Sequence, residues 1–163
     1  MKRDVTPPAV GWEPHPATFT VDQTISIDCP ESDETSGLLL LDTRPAIAGE
    51  AYTFEPGPWT FSARADDNAG NFANAFTSFT VVVTFRSLAN VTRRLVANAQ
   101  VADKLVKRLL FAEESRARGA VVPADVAIRH YIDEVRAEVG RSLTEDQAAV
   151  LTRLAAALQQ TNP

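Results

Sequence analysis

The hydrophobic rhythm of this chain changes once, near Arg86, and that change restricts its folds more than any motif does. Before it, apolar residues recur at every second position. "QTISIDC" sets Ile25, Ile27 and Cys29 on one side and Thr24, Ser26 and Asp28 on the other. "TSFTVVVTF" does the same with Phe79, Val81, Val83 and Phe85 against Thr80 and Thr84. A period of two marks a strand with one buried face. "WTFSARA" alternates likewise from Trp59, and the apolar run "GLLLLD" suits a short strand covered on both sides. Turn formers in "TPP", "PESDETSG", "PGP" and "DDNAGN" separate these segments. Short strands at this spacing predict an all-β sandwich of immunoglobulin-like size over residues 1–86.

After Arg86 the period is helical. Leu88, Val91 and Leu95 repeat at three and four residues, as do Val101, Leu105, Leu109 and Ala112. Ile128, Ile132, Val135 and Val139 form a third stripe, and Ala148, Leu151, Leu154 or Ala155, and Leu158 a fourth. Asn98 is placed to cap a helix and Gly119 to end it. Pro123 suits a first turn and Gly140 a C-terminal stop, while Thr144 with Gln147 makes a capping box. The pattern predicts helices over 88–96, 99–118, 124–139 and 145–159, in an all-α four-helix bundle-like domain spanning 87–163.

Composition changes at the same place. Residues 1–86 hold eight of the ten prolines and carry 5 Lys and Arg against 12 Asp and Glu, net −7. Residues 87–163 carry 11 against 9, net +2. A coincident shift in turn formers and charge is what a domain boundary looks like. The 163 residues contain no apolar run long enough for a membrane helix. "MKRDVTPPAV" has prolines where a secretory signal needs an apolar core, so this stretch is either cytosolic or cut from a larger exported polypeptide. Cys29 is the single cysteine, which excludes an internal disulfide.

"DVTPP", "SDETSG" and "GPWTFSARADDNAGN", followed by "FTVVV", resemble the Ig-like repeats of secreted and surface-attached bacterial proteins, the relatives of the HYR domain, over residues 4–84. Many such repeats pair a cysteine like Cys29 with one after the Ser-Gly turn. "LLLLDTR" offers no such partner here. "SLANVTRRLVANAQVADKLVKRLLFAEESRARG" and "IRHYIDEVRAEVGRSLTEDQAAVLTRLAAAL" are similar to the helical FIMAH domain, found at the C-terminal ends of secreted bacterial proteins and polysaccharide-acting enzymes, from Leu88 to Leu158. The two resemblances imply an extracellular or cell-surface location and bring no catalytic residue to any position here.

The acidic turn is the most site-like stretch. Asp66, Asp67 and Asn68, with Asp33 or Asp4, supply the hard oxygens calcium uses, although the spacing is not that of an EF-hand. The preferred reading is structural: Asp and Asn bond their own turn's amides, Gly70 takes positive φ, and Asn71 pegs the corner to a neighbouring strand. Adjacent Asp66 and Asp67 point to opposite sides of a strand, which rules against a glycosidase pair. Trp12 is the best aromatic for stacking on sugar, ahead of Tyr52 and of Trp59, whose parity is that of the core. His130 with Glu134 is a weak metal pair, and His15 has no orienting partner in sequence. Acidic neighbours break up the basic residues Arg93, Arg94, Lys104, Lys107, Arg108, Arg116 and Arg118, which predicts an ion-paired surface and no nucleic-acid partner.

No phosphate loop, metal-binding Cys and His spacing or nucleophile elbow occurs. The expectation is a non-catalytic spacer or attachment segment of a larger exported bacterial protein, with neighbouring domains as partners and no cofactor. The alternative is a carbohydrate-binding module of a polysaccharide-acting enzyme.

Overall fold

The strands gather into three small, separate sheets in a computed structural model that describes residues 4–39 and 46–160. Strands β1 (Ala9–Val10), β2 (Thr18–Thr20), β3 (Thr24–Asp28), β4 (Glu31–Ser32), β5 (Ala46–Glu50), β6 (Gly57–Asp66) and β7 (Phe72–Val82) precede helices α1 (Phe85–Leu95), α2 (Ala99–Ala117), α3 (Val121–Ala137) and α4 (Glu145–Gln160). The sheet orders are β1-β4, β3-β5 and β2-β7-β6. The β1-β4 pair is antiparallel, with Ala9 opposite Ser32 and Val10 opposite Glu31. Leu38 forms an isolated bridge with Asp67; the rest of "GLLLLD" lies outside the described residues.

This corrects the expected fold class. The chain is mixed α and β, not an all-β sandwich followed by an all-α bundle, although strands do precede helices. One reason is that a sandwich needs two facing sheets, each with a continuous buried face. Here β1 and β4 are two residues long, and β3 pairs with β5 apart from the three-stranded sheet. In β7, Phe72 and Phe76 are exposed although the strand alternates.

A second reason lies in how the chain divides by contact. Among the described residues, one compact unit comprises 4–19, 24–39, 46–49 and 57–80; the other comprises 20–23, 50–56 and 81–160. The helical unit thus takes in two loops from the β-patterned part. Arg94 donates to the Asp22 carbonyl at 2.9 Å and pairs with Glu50, and Asn90 donates to the Asp22 carboxylate at 2.7 Å. Arg153 donates to the Tyr52 carbonyl at 2.6 Å and to Glu55 at 2.7 Å. Ala51, at the start of a single 3-10 turn, is fully buried. Acidic loops from the first part find arginines on α1 and α4, which no local periodicity encodes.

In the first unit, Phe19, Ile25, Ile27, Cys29, Ile47 and Phe79 are buried. Phe79 meets Phe19 edge-on at 5.3 Å and stacks on Phe61 at 5.6 Å, and Trp59 stacks on Phe61 in turn at 6.1 Å. In the second, α1 packs on α2, α2 on α3, α3 on α4, and α4 back on α1. Leu88, Leu105, Leu109, Ile128, Leu151 and Leu154 have no exposed surface. Each such side chain contributes roughly 1.5–3 kcal/mol through burial.

Helix ends follow the local chemistry closely. Asn98 accepts the amides of Gln100 and Val101, and Thr144 and Gln147 bond reciprocally. Gly119 and Gly140 take φ of +75° and +76°. The first helix starts three residues before Leu88, because Thr84 and Ser87 form a reciprocal box: each backbone N–H donates to the other's hydroxyl. Phe85, expected as the last strand residue, is therefore the first of α1.

Candidate functional site

The turn "DDNAGN" closes the hairpin from β6 to β7, and its two aspartates part ways. Asp66 stays on the strand and takes the guanidinium of Arg64 at 2.6 Å, a residue two positions back and so on the same face. Asp67 turns inward and is 1% exposed. Its Oδ1 accepts the amides of Ala69 at 2.9 Å and Asn71 at 2.7 Å, and its Oδ2 accepts the Asn71 side chain at 2.6 Å. Burial pushes the Asp67 carboxyl up, but the donors from Asn71, Ala69 and Gly70 outweigh it and hold the group below the usual range.

Two further aspartates arrive from distant sequence. In "SDETSG", Asp33 Oδ1 accepts the amides of Thr35, Ser36 and Gly37 at 3.1, 2.8 and 2.7 Å. Asp4 accepts the Thr6 amide at 2.9 Å and the Thr35 hydroxyl at 2.6 Å. The Thr35 hydroxyl, with the Thr6 amide and Ser36, draws the Asp4 carboxyl down to about 2. One carboxylate oxygen each from Asp4, Asp33 and Asp67 lies within 4.8 Å of the others. The asparagines complete the joint. Asn68 donates to the carbonyls of Ser36 at 3.0 Å and Leu38 at 3.3 Å, and Asn71 to those of Thr6 at 3.3 Å and Asp4 at 3.4 Å.

Calcium takes six to eight oxygens, and these three carboxylates bring three where each binds through one oxygen. Their oxygens are already used as acceptors: Asp33 Oδ1 serves three amides and Asp67 Oδ1 two. What the arrangement does with the atoms present is tie three loops together through main-chain groups. Of the calcium candidates read from sequence, the cluster includes Asp67 but neither Asp66, held by Arg64, nor Asn68, whose amide faces carbonyls. Asp4 and Asp33 complete it. Their signal in sequence is an Asp with Thr two residues on, in "DVT" and "DET", the mark of an Asx turn.

The remaining candidates separate. Trp12 is half-buried, and its Nε1 is shut away from solvent. His15 has a partner after all: its Nε2 meets the Thr77 hydroxyl at 2.5 Å, its Nδ1 meets the Pro16 carbonyl at 2.9 Å, and its ring lies against Phe19 and Phe79. Glu134 is gripped by Arg108 at 2.6 Å and Lys104 at 2.7 Å. The Arg108 bonds first, then those of Lys104, bring it down to about 2 against the opposing effect of burial. Arg94, Arg116 and Arg118 are also ion-paired. His130 opens instead onto a groove of about 520 Å³ between α2 and α3. Among the described residues, no helix is long and apolar enough to cross a membrane. Comparison with family models, curated proteins and solved structures finds no match to the chain.

Proposed function

We propose that the chain is a non-catalytic accessory segment of a larger exported bacterial protein, spacing or attaching the domains that neighbour it in the parent polypeptide. The observation that carries this reading is the aspartate corner. Its polar side chains are spent on backbone groups of three loops, with Asn71 reaching from the β6–β7 turn to Asp4 and Thr6. Such a clasp fastens the Asp4–Thr6 segment to the β6–β7 turn, and a joint held this way suits a spacer. The likeness to HYR-related repeats and to the FIMAH domain favours the same role, and an extracellular or cell-surface setting with it. Ion pairing of Arg94, Lys104, Arg108, Arg116 and Arg118 disfavours a phosphate-binding face.

Pull-down on insoluble polysaccharides, together with a glycan array, tests the reading. A spacer stays in the supernatant and lights no glycan. Retention that disappears in Trp12→Ala would replace it with the carbohydrate-binding alternative.

A further inference from the structure

The outer face of the α2–α3 hairpin has the makings of a docking groove, and no part of the clasp contributes to it. Its floor is apolar: Phe111 from α2, and Pro123 and Val126 from α3. Phe111 is 55% exposed, Val126 38%, and Val122, one turn before Val126, 71%. None of these belongs to the stripes that build the helical core, where Leu105, Leu109, Ile128 and Tyr131 are fully buried. Phe111, Pro123 and Val126 thus form an apolar floor that lies open between two adjacent helices.

The rim is cationic. Lys104, Lys107 and Arg108 line the α2 side, and His130 stands at the same end on α3. Glu134 engages Lys104 and Arg108, which leaves three cations against one carboxylate. Lys107 has no ionic partner among the described residues. The groove is thus apolar where α2 ends and α3 begins, and positive towards the middle of both helices.

We infer that this groove receives an amphipathic helical segment of a partner polypeptide that carries acidic residues beside its apolar stripe. Charge and shape both favour that occupant. Carboxylates meet Lys107 and its neighbours, while apolar anchors at helical spacing cover Phe111, Pro123 and Val126. From Pro123 to His130 is seven helical steps, about 10 Å or two turns. The groove is open along its length, so a single acyl chain laid there would keep one side in water. A helix brings a polar outer face of its own and packs on two neighbours at the usual 8–10 Å spacing. Polysaccharide fits poorly, because little of the floor can accept or donate a hydrogen bond.

The test uses the full chain and a fluorescein-labelled synthetic sixteen-residue peptide with leucines at helical spacing and glutamates flanking them, read by anisotropy. Saturable binding that weakens with salt is expected, and Phe111→Ser and Lys107→Glu should each weaken it by about tenfold. Both side chains are exposed, so thermal midpoints should stay in place; if Phe111→Ser lowers its midpoint, Lys107→Glu decides alone. No binding up to about 1 mM, a range where only the weakest contacts fall, overturns the inference. So does equal binding of a lysine-flanked control peptide, or indifference to both variants. Uptake of sodium dodecanoate or of phosphatidylglycerol vesicles in place of the peptide would make the groove a lipid site and overturn it as well. Polysaccharide retention reads out separately, so failure here leaves the spacer reading to its own test.

Discussion

Among the described residues Tyr131 is the largest fully buried side chain, and its hydroxyl bonds the Thr92 hydroxyl at 2.7 Å. Thr92 is also fully buried, and its own hydroxyl proton goes to the Leu88 carbonyl at 2.7 Å. The order of donors follows: Tyr131 donates to Thr92, and Thr92 donates to Leu88. That order makes the two single mutants unequal. Thr92→Val keeps the shape and strands a buried phenol O–H without an acceptor, which costs about 2 kcal/mol. Tyr131→Phe removes the donor but leaves Thr92 its bond to Leu88, so only one bond's net worth is lost, about 1 kcal/mol. With both changes no polar group is orphaned. The double mutant should then be no worse than Tyr131→Phe, a coupling of about 2 kcal/mol. Urea unfolding followed by the helical far-UV signal measures all three. Additivity within about 0.5 kcal/mol, the behaviour of independent sites, or Thr92→Val milder than Tyr131→Phe, would falsify the assigned donor order. The same site sets an alkaline limit. Burial drives the Tyr131 hydroxyl well above the tyrosine range, only partly offset by the bond to Thr92. In the unfolded chain tyrosine ionises near pH 10. The contribution is therefore whole below about pH 10 and falls by about 1.4 kcal/mol per pH unit above it. Tyr131→Phe should remove that slope.

Two further outcomes are open to measurement. Glu134 titrates at about 2 in the folded chain, below its unfolded value, so its pairing with Arg108 and Lys104 stabilises above about pH 5 and fades as pH falls towards 2. The pair is partly solvent-exposed, so the effect is about 1 kcal/mol or less; Glu134→Gln should lose less stability between pH 7 and pH 3 than the parent chain, and an equal loss would sink the assignment. At the aspartate corner, calcium in place of chelator should leave the thermal midpoint unmoved, because amides and hydroxyls already hold the carboxylates. A midpoint that climbs with calcium, and stops climbing in Asp33→Ala, would turn the clasp into a metal centre.

Much of the local architecture was legible from spacing and turn chemistry. Ile25 and Ile27 are buried as their alternation requires, Asn98 and Thr144 cap their helices, and Gly70, Gly119 and Gly140 take positive φ. The third helix starts at Val121, before the expected 124, because Pro123 falls within its first turn, where a missing N–H costs nothing. Asp67 does bond its own turn's amides, but Asn71 reaches the Asp4 and Thr6 carbonyls ahead of β1 and not a neighbouring strand. Trp59 and Phe61, which share a parity, stack on each other.

Tertiary structure decided the rest. A period of two says that a segment is a strand and which face is buried, but not which strand it bonds, since pairing depends on partners far along the chain. That is why, among the described residues, the strands fall into small separate sheets and not a sandwich. Pairing also drew Glu50, Glu55 and Asp22 to Arg94 and Arg153, placing β-patterned loops in the helical unit. Asp4, Asp33 and Asp67 meet for the same reason: each makes its own local turn, and only the assembled loops bring their oxygens within 4.8 Å. Sequence by itself determined the elements and their ends, because hydrogen-bond caps, φ preferences and periodicity act over a few residues. Packing determined the sheets, the clasp and the groove, because those interactions join residues that only the closed chain makes neighbours.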